Sequence, residues 1–192
     1  IKPEIIINSI GILPQNPKFN KINSIFINSL FPQRLIEISK ELNSKIIQIS
    51  TDCVFDGKRG KYAENDIPNE TKTYGLTKIL GEIKGTQHLT IRTSIIGPEL
   101  KKEGKGLLHW VFNENGKIKG YNKAIWGGIT TLELSKVIEY CISYNISGLY
   151  HVTNGESISK YDLLNLIKRE FKLNQIEIIK DSSIIYDRSL IS

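Results

Sequence analysis

The chain has 192 residues, 40% of them hydrophobic and 24% charged, which is typical of a folded domain with its own core. Its formal net charge is +6, but the lysines are scattered and no basic run alternates with aromatic residues, so nucleic-acid binding is not expected. No apolar run approaches the roughly 20 residues that cross a bilayer, and no signal peptide opens the chain, which predicts a cytoplasmic protein without membrane contact.

The first half of the chain alternates between short apolar runs and helical periods. The apolar runs predict strands at residues 4–9, 45–49 and 89–96. Apolar spacing near 3.6 residues predicts helices at 22–42 and 73–84, with a kink or a new helical segment at Pro32. Residues 52–72 are rich in Gly, Asp, Asn and Pro and predict a loop. The alternation indicates parallel strands with crossover helices, the doubly wound α/β class.

The second half is less regular. Helices are predicted at 106–113, 130–144 and 159–171, and extended segments at 117–121, 148–152 and 175–179. Two of these helices have start signals, because Thr130 precedes Glu133 and Ser159 precedes Asp162 by three residues. No repeat or low-complexity linker divides the chain.

The strongest chemical signal combines a hydroxyl at a strand end with a Tyr-x-x-x-Lys pair. Tyr74 and Lys78 are spaced to share one face at the start of a predicted helix. A phenol ionises near about pH 10, and an adjacent ammonium lowers that pKa toward the working range. Thr51 follows an apolar strand, at the carboxyl end where open α/β sheets bind ligands. Together these groups can protonate a carbonyl or deprotonate an alcohol.

Small and polar residues also follow the first predicted strand, in the order Asn8-Ser9-Ile10-Gly11. They permit close approach of a ligand but are a weak signal alone. Cys53 and Cys141 match no metal-ligand spacing, so we expect free thiols in a reducing compartment. The histidines share no such spacing either, and no metal site is expected. The absence of methionine, even at position 1, suggests that the chain begins inside a longer protein.

Taken together, the segments resemble extended short-chain dehydrogenases/reductases, and among them the dTDP-4-dehydrorhamnose reductase group. The resemblance rests on residues 2–8, 26–28, 50–57, 74–82, 92–94 and 148–152. It implies a Rossmann-like doubly wound parallel sheet that lacks its N-terminal part. Residues 1–100 would be the remainder of the NAD(P)-binding domain. Residues 101–192 would be mainly a small α/β substrate-binding half, interleaved with the first.

The resemblance also implies a reaction: NADPH or NADH would reduce a nucleotide-linked 4-keto-6-deoxy sugar, and the protein would form a homodimer. Tyr74 would donate the proton, Lys78 would lower its pKa and bind the nicotinamide ribose, and Thr51 would orient the carbonyl. The implied cofactor-binding residues are Asn8, Ser9, Ile10, Gly11, Asn28, Ser50, Tyr74, Lys78, Arg92, Thr93 and Ser94. The implied substrate-binding residues are Asp52, Cys53, Val54, Phe55, Ile95, Trp110, Gly128 and Thr130.

The chain departs from the family pattern in three respects. It has no glycine-rich turn of the kind that holds a dinucleotide pyrophosphate at a helix start. Cys53 replaces an expected tyrosine, and Ile95 stands where the rhamnose-forming enzymes tend to carry tryptophan. Both replacements leave the proton chemistry in place, and the sugar need not be the rhamnose precursor. Two other functions stay open: epimerisation or dehydration of a nucleotide sugar, and a non-catalytic regulatory role like that of the β subunit of methionine adenosyltransferase.

Overall fold

The computed structural model describes residues 2–100 and 104–192, and its centre is a four-stranded parallel sheet. The strands are β1 (Ile5–Asn8), β2 (Lys45–Ile49), β3 (Leu89–Thr93) and β7 (Gly148–Val152). They lie side by side in this order, with Ile6 opposite Ile46, Ile49 opposite Ile91, and Arg92 opposite His151. The predicted Rossmann-like α/β class is confirmed. The predicted division at residue 100 stays a prediction, and the sheet takes its fourth strand from the second half of the chain.

The long helix between β1 and β2 has three parts. They are α1 (Lys21–Ser24), a π-helical segment (Ile25–Leu30) and α2 (Phe31–Leu42). Asn20 caps its start by accepting a hydrogen bond from the Asn23 N–H at 2.9 Å. Pro32 lies in the first turn of α2, where a missing N–H is tolerated, so the predicted new segment at Pro32 is confirmed. Asn43, in the left-handed conformation, ends the helix.

A short 3₁₀ turn (Asp52–Val54) and the helix α3 (Thr73–Leu80) connect β2 to β3. The sequence predicted this helix to residue 84, which is wrong because it ends at the Gly81 cap. The main-chain N–H and carbonyl of Ile83 instead bond to the Thr90 hydroxyl, at 3.2 and 2.8 Å. The predicted strand 89–96 is divided, since β3 stops at Thr93 and β4 (Ile95–Ile96) belongs to another sheet.

The second half forms a smaller α/β layer. Its helices are α4 (Leu107–Phe112), α5 (Thr131–Ser143) and α6 (Lys160–Glu170). Its strands are β5 (Gly116–Trp126), β6 (Ile129–Thr130), β8 (Ile158–Ser159) and β9 (Ile176–Asp187). Strands β8, β5 and β9 form one sheet, and β4 pairs with β6. Strands β5 and β9 are longer than predicted, because each pairs along the other nearly to its end.

Buried apolar residues form one core beneath the parallel sheet and a second between α6 and β5. Ile47, Leu89 and Ile91 belong to the first, and Ile118, Leu164 and Ile176 belong to the second. Leu134 and Cys141 of α5 also belong to the first, so α5 packs against the parallel sheet. Among the described residues, no helix has the length and apolar character needed to cross a membrane.

Candidate active site

The carboxyl ends of β1, β2, β3 and β7 lie at one edge of the sheet, because all four strands are parallel. The segments that follow them therefore form the place where a ligand is expected in an open α/β sheet. Ser9 follows β1, Thr51 comes shortly after β2, and Ser94 follows β3. The residues that the sequence placed at successive strand ends are thus brought to one edge.

Thr51 begins the 3₁₀ turn after β2 and is held by its own neighbours. Its hydroxyl accepts a hydrogen bond from the Cys53 N–H at 3.2 Å and donates one to the Asp52 carboxyl at 3.1 Å. Both Thr51 and Asp52 are 9% exposed, so the hydroxyl has a fixed direction and little competition from water. The hydroxyl has one proton, so it would orient a carbonyl by turning that proton from Asp52 to the substrate.

Tyr74 stands at the start of α3, directly against this turn. A Cβ added to the neighbouring Gly75 would lie 2.2 Å from the Cys53 carbonyl oxygen and 2.3 Å from Cγ of Glu70. Only glycine permits this approach, which brings the Tyr74 phenol beside Thr51. Burial raises the pKa of the phenol, and the Thr51 side chain is close enough to oppose that shift. The structure therefore brings two of the three predicted catalytic residues together.

Lys78 lies one turn along α3 from Tyr74, as the spacing predicted, and its side chain is buried. Its ammonium donates a hydrogen bond to the Ile49 carbonyl at 2.9 Å. Burial lowers the pKa of Lys78 to about 8, against an opposing effect of the Glu82 carboxylate. The amine is therefore close to its midpoint at slightly alkaline pH.

Burial is also the main influence on the acidic groups of the site. It raises the pKa of Tyr74, with a further increase from Cys53 and Asp52, while Thr51 and Arg188 oppose the shift. Burial likewise raises the pKa of Asp52, and it raises that of Cys53 to about 12. The phenol is thus protonated at neutral pH, as a proton donor must be. The cation that lowers the pKa of the Tyr74 phenol is Arg188. The sequence predicted that Lys78 would have this effect.

The predicted cofactor segment after β1 is accessible and supported from below. Ser9, Ile10 and Gly11 are exposed, whereas Asn8 is buried and its amide donates to Gln48 at 2.7 Å. Asn28 is buried beneath the segment. Its carboxamide accepts from the Ile12 N–H at 2.8 Å and donates to the Ile12 carbonyl at 3.1 Å.

The Asn28 amide also donates to the Thr77 hydroxyl at 3.2 Å, which joins the segment after β1 to the helix that carries Tyr74 and Lys78. Asn28 therefore supports the region rather than facing a ligand.

Three other predicted cofactor residues have side chains inside the protein. Ser50 donates to Glu82 at 2.8 Å, and Thr93 donates to the Val152 carbonyl at 2.7 Å. Arg92 forms a buried ion pair with Glu82. Their side chains are committed to the fold, so we correct the expectation to the extent that it concerns these side chains, which support the site.

The predicted substrate contacts of Val54 and Phe55 need the same correction. Both side chains are fully buried, at 0% exposure, in a core with Tyr62 and Leu190. Phe55 stacks on Tyr62 with ring centroids 4.2 Å apart. The apolar residues after β2 thus anchor the loop, while Thr51, Asp52 and Cys53 form the side of it that lies near Tyr74.

The second half contributes an apolar cavity of about 640 Å³. Its lining includes Gly128 and Thr130 from the sequence prediction, together with Ile96, Leu108, Trp126 and Phe171. Thr130 caps α5 by accepting from the Glu133 N–H at 3.1 Å. A Cβ on Gly128 would lie 2.1 Å from the Ser94 carbonyl oxygen, so this glycine permits a close contact.

The tryptophan that lines this cavity is not the one that the sequence favoured. Trp110 is 38% exposed on α4 and is not among the lining residues. Trp126 lines the cavity instead, and its indole N–H donates to the Ser94 hydroxyl at 2.9 Å. Ile95, beside Ser94, is 48% exposed. The end of β3 is therefore connected to the cavity through Ser94 and Trp126.

Sequence reasoning missed Arg188, which approaches the site from the end of β9. Its guanidinium donates to the Phe55 carbonyl at 2.8 Å and to Glu70 at 2.7 Å, and it contacts the Cys53 sulfur at 3.5 Å. No local motif surrounds Arg188, and 133 residues separate it from Phe55. A single sequence contains no signal for a contact at that separation.

The parallel sheet with a Tyr-Lys pair at its carboxyl edge defines a Rossmann-like α/β domain of the kind found in nucleotide-sugar reductases and epimerases. The match to a family model is more specific: residues 19–185 match the RmlD substrate binding domain. The chain belongs to this family.

Two relatives show the range of proteins that share this sequence pattern. The Xenopus tropicalis methionine adenosyltransferase 2 subunit beta is 23% identical over 194 residues, which cover 90% of this chain and 56% of that protein. A dTDP-4-dehydrorhamnose reductase of Aggregatibacter actinomycetemcomitans is 29% identical over 176 residues, which cover 84% of this chain and 59% of that protein. The chain thus spans a little more than half the length of these curated relatives.

Two solved structures have the same fold. A hypothetical dTDP-4-dehydrorhamnose reductase from Sulfolobus tokodaii has a TM-score of 0.84 and 30% identity, covering 98% of this chain and 71% of that one. A dTDP-4-dehydrorhamnose reductase from Bacillus anthracis, solved in complex with NADP, has a TM-score of 0.80 and 24% identity. That match covers 95% of this chain and 67% of the Bacillus anthracis chain.

Proposed function

We propose that the protein, in its complete form, reduces a nucleotide-linked 4-keto-6-deoxy sugar with NADPH or NADH. The observation that carries this proposal is the placement of Tyr74 against Thr51 at the carboxyl edge of the sheet, with the Lys78 ammonium one turn away. Membership of a family that includes dTDP-4-dehydrorhamnose reductases supports the reaction class.

When bound, a nicotinamide cofactor would supply the hydride that reduces the keto carbon. Thr51 holds the carbonyl by hydrogen bonding, and Tyr74 gives its proton to the carbonyl oxygen. Lys78 would bind the nicotinamide ribose, and Arg188 supplies the positive charge that acts on the phenol. The burial of Tyr74 keeps the phenol protonated until the substrate arrives.

The residues present fit the nicotinamide half of such a cofactor. Lys78 is a buried ammonium with an identified carbonyl partner at Ile49, and an ammonium has three donors to offer. The exposed backbone at Ser9–Gly11 lies at the same sheet edge and permits close approach. The choice between NADH and NADPH depends on the glycine-rich part of the family pattern, which these residues do not include.

We assign the nucleotide part of the substrate to the apolar cavity beside Trp126. Its volume of about 640 Å³ lies in the range of small-molecule sites, which are mostly apolar with a few polar groups. Cys53 and Ile95 alter the sugar side, because a phenol is replaced by a smaller thiol and an indole by an aliphatic chain. The sugar accepted therefore need not be the rhamnose precursor.

The proposal is tested on the full-length protein with a panel of dTDP-, UDP- and GDP-linked 4-keto-6-deoxy sugars and either cofactor. Oxidation of NAD(P)H with a reduced sugar product supports it, and product analysis separates reduction from epimerisation or dehydration. Preference for the dTDP-linked rhamnose precursor would contradict the altered-sugar argument while supporting the reductase assignment.

A second function is favoured by a specific observation, the similarity to the Xenopus tropicalis methionine adenosyltransferase 2 subunit beta over 90% of the chain. The protein would then be a regulatory subunit that retains the fold. Absence of turnover with every sugar nucleotide, in a folded protein shown to bind cofactor, would favour this role. The homodimer and the cytoplasmic location stay predictions.

A further inference from the structure

Arg188 is positioned to connect two segments that are distant in sequence. It follows β9 directly, and the Asp187 N–H at the end of that strand donates to the Gly57 carbonyl at 2.7 Å. The strand end is thus tied to the loop after β2. From this point the Arg188 side chain extends inward and is only 19% exposed.

One contact surface of the guanidinium is the loop that carries Thr51. Nε donates to the Phe55 carbonyl at 2.8 Å, and Nη1 contacts the Cys53 sulfur at 3.5 Å. Phe55 is fixed in the core beneath the loop. The guanidinium therefore contacts the loop at residues that lie two and four positions after Thr51.

The other contact surface is the approach to α3, which carries Tyr74. Nη2 of Arg188 donates to one oxygen of Glu70 at 2.7 Å. The second oxygen of Glu70 accepts from the Thr71 N–H at 2.8 Å and the Lys72 N–H at 3.0 Å. Lys72 is the residue before the first turn of α3 and has no side-chain cap of its own. Glu70 thus orders the start of the helix and transmits the position of Arg188 to it.

The loop after β2 and the start of α3 are in direct contact, and no space separates them at Gly75. At Gly75 even a methyl group would overlap both the Cys53 carbonyl and the Glu70 side chain. A displacement of either segment therefore changes the distance between the Thr51 and Tyr74 hydroxyls. A planar guanidinium with several fixed donors can hold both segments at once, which a lysine ammonium cannot do in the same geometry.

We propose that Arg188 is a positioning residue of the active site, whose guanidinium sets the Thr51 hydroxyl against the Tyr74 phenol by joining the loop after β2 to the start of α3. This role rests on the proposed reductase function. Arg188 acts through the two segments and does not itself touch the reacting carbonyl.

The charges around the site are consistent with this role. The acidic groups that face Tyr74 are Asp52 and Cys53, and both raise its pKa. Arg188 is the cation that opposes them at the phenol, and it has the same effect on Asp52 and Cys53. Lys160 adds a weaker influence on Asp52. Removing the guanidinium would therefore raise the pKa of Tyr74 as well as change its position relative to Thr51.

The test compares Arg188→Lys with Arg59→Lys in the full-length protein. Both variants keep the charge, but Arg59 is an exposed side chain that pairs with Asp66. We expect Arg188→Lys to lower kcat by about 10- to 100-fold with little change in KM, because misplacement of a reacting group affects chemistry more than binding. We expect Arg59→Lys to leave both constants unchanged. The Glu70→Gln variant, which weakens the same link, should reduce kcat in the same direction by a smaller factor.

Amide hydrogen exchange provides a readout that does not depend on turnover. In Arg188→Lys, the Thr71 and Lys72 amides should exchange several-fold faster than in the wild type, while amides of β3 keep their rates. Unchanged exchange, or faster exchange with unchanged kcat, would overturn the positioning role. A wild-type protein that reduces no sugar nucleotide would overturn the proposed function and the positioning role with it. If the wild type reduces a sugar nucleotide and Arg188→Lys does so at the same rate, the positioning role is overturned and the proposed function stands.

Discussion

Glu82 and Arg92 form a two-pronged ion pair inside the protein, with Nε to Oε1 at 2.7 Å and Nη2 to Oε2 at 2.8 Å. Their side chains are only 2% and 4% exposed. The same Oε1 accepts a hydrogen bond from Ser50, the residue before Thr51. The pair therefore joins the segment after α3, the middle of the sheet and the strand end that precedes Thr51.

Removal of one partner of this pair should strongly destabilise the fold. Arg92→Met leaves the Glu82 carboxylate buried without its partner, and such a loss typically costs about 3–5 kcal/mol. The free energy of unfolding, from denaturant titration, measures the effect. Arg34→Met, which breaks an exposed ion pair with Glu37, should cost less than about 1 kcal/mol. If both variants lose the same free energy of unfolding, the buried ion pair stabilises the fold no more than an exposed one does.

Loss of the Tyr74 hydroxyl should remove most of the turnover of the full-length protein. Tyr74→Phe keeps the ring that packs beside Cys53 and deletes only the proton donor. General acids typically contribute about 10² to 10⁴-fold, so kcat should fall by at least the lower figure. Tyr140→Phe, on the exposed face of α5, is the matched control and should have wild-type kcat. More than half of wild-type turnover in Tyr74→Phe would rule out the role as donor.

The parallel strands of the first half and the positions of Thr51, Tyr74 and Lys78 along them were predictable from the sequence, because apolar runs and helical spacing are local patterns. The end of α3 was not, since Gly81 and the pairing of Ile83 with Thr90 depend on tertiary contacts. The burial of Arg92 was missed for the same reason: its partner Glu82 lies 10 residues earlier, in the segment between α3 and β3.

Arg188 is the extreme case, because its contacts connect β9 with residues more than one hundred positions earlier. The sequence also could not show which of Trp110 and Trp126 lines the cavity. Both are aromatic residues of the second half, and only the packing of β5 against α6 decides which one lines the cavity.

A methyl group at Gly75 should disturb both stability and the site. Alanine is favoured over glycine within a helix by about 1 kcal/mol. The added Cβ would nevertheless lie 2.2 Å from the Cys53 carbonyl oxygen, a backbone atom that cannot move without shifting the turn after Thr51. We expect a net loss of about 1–3 kcal/mol in the free energy of unfolding, as for other overpacked sites.

Gly11→Ala is the control for Gly75→Ala. Its added Cβ would meet only the Asn28 oxygen at 3.5 Å, an ordinary contact, so thermal unfolding should change little. A Gly75→Ala variant as stable as the wild type would mean that α3 and the turn after β2 are not held in close contact.

The burial of Lys78 should make stability rise with pH on the alkaline side of neutrality. Burial lowers the pKa of Lys78 from 10.5 to about 8, so between these values the unfolded chain binds more protons than the folded one. Stability therefore rises as the pH increases through this window, and it falls again as the pH drops toward 8 and the buried amine becomes charged. Lys78→Met has no such amine, and its stability should lack this increase.

The test is denaturant unfolding of wild type and Lys78→Met between about pH 7 and 9.5, below the range where tyrosines ionise in the unfolded chain. Relative to the variant, the wild type should gain about 2 kcal/mol across this interval, as the linkage relation gives for that shift. Other titrating groups, Cys53 among them, contribute to both proteins and cancel in the difference. Lys84→Met is the matched control, because it removes an exposed lysine. The pH dependence of its stability should be that of the wild type. A constant difference between wild type and Lys78→Met would mean that the Lys78 amine keeps an ordinary pKa, and the contact with the Ile49 carbonyl would then not define a desolvated site.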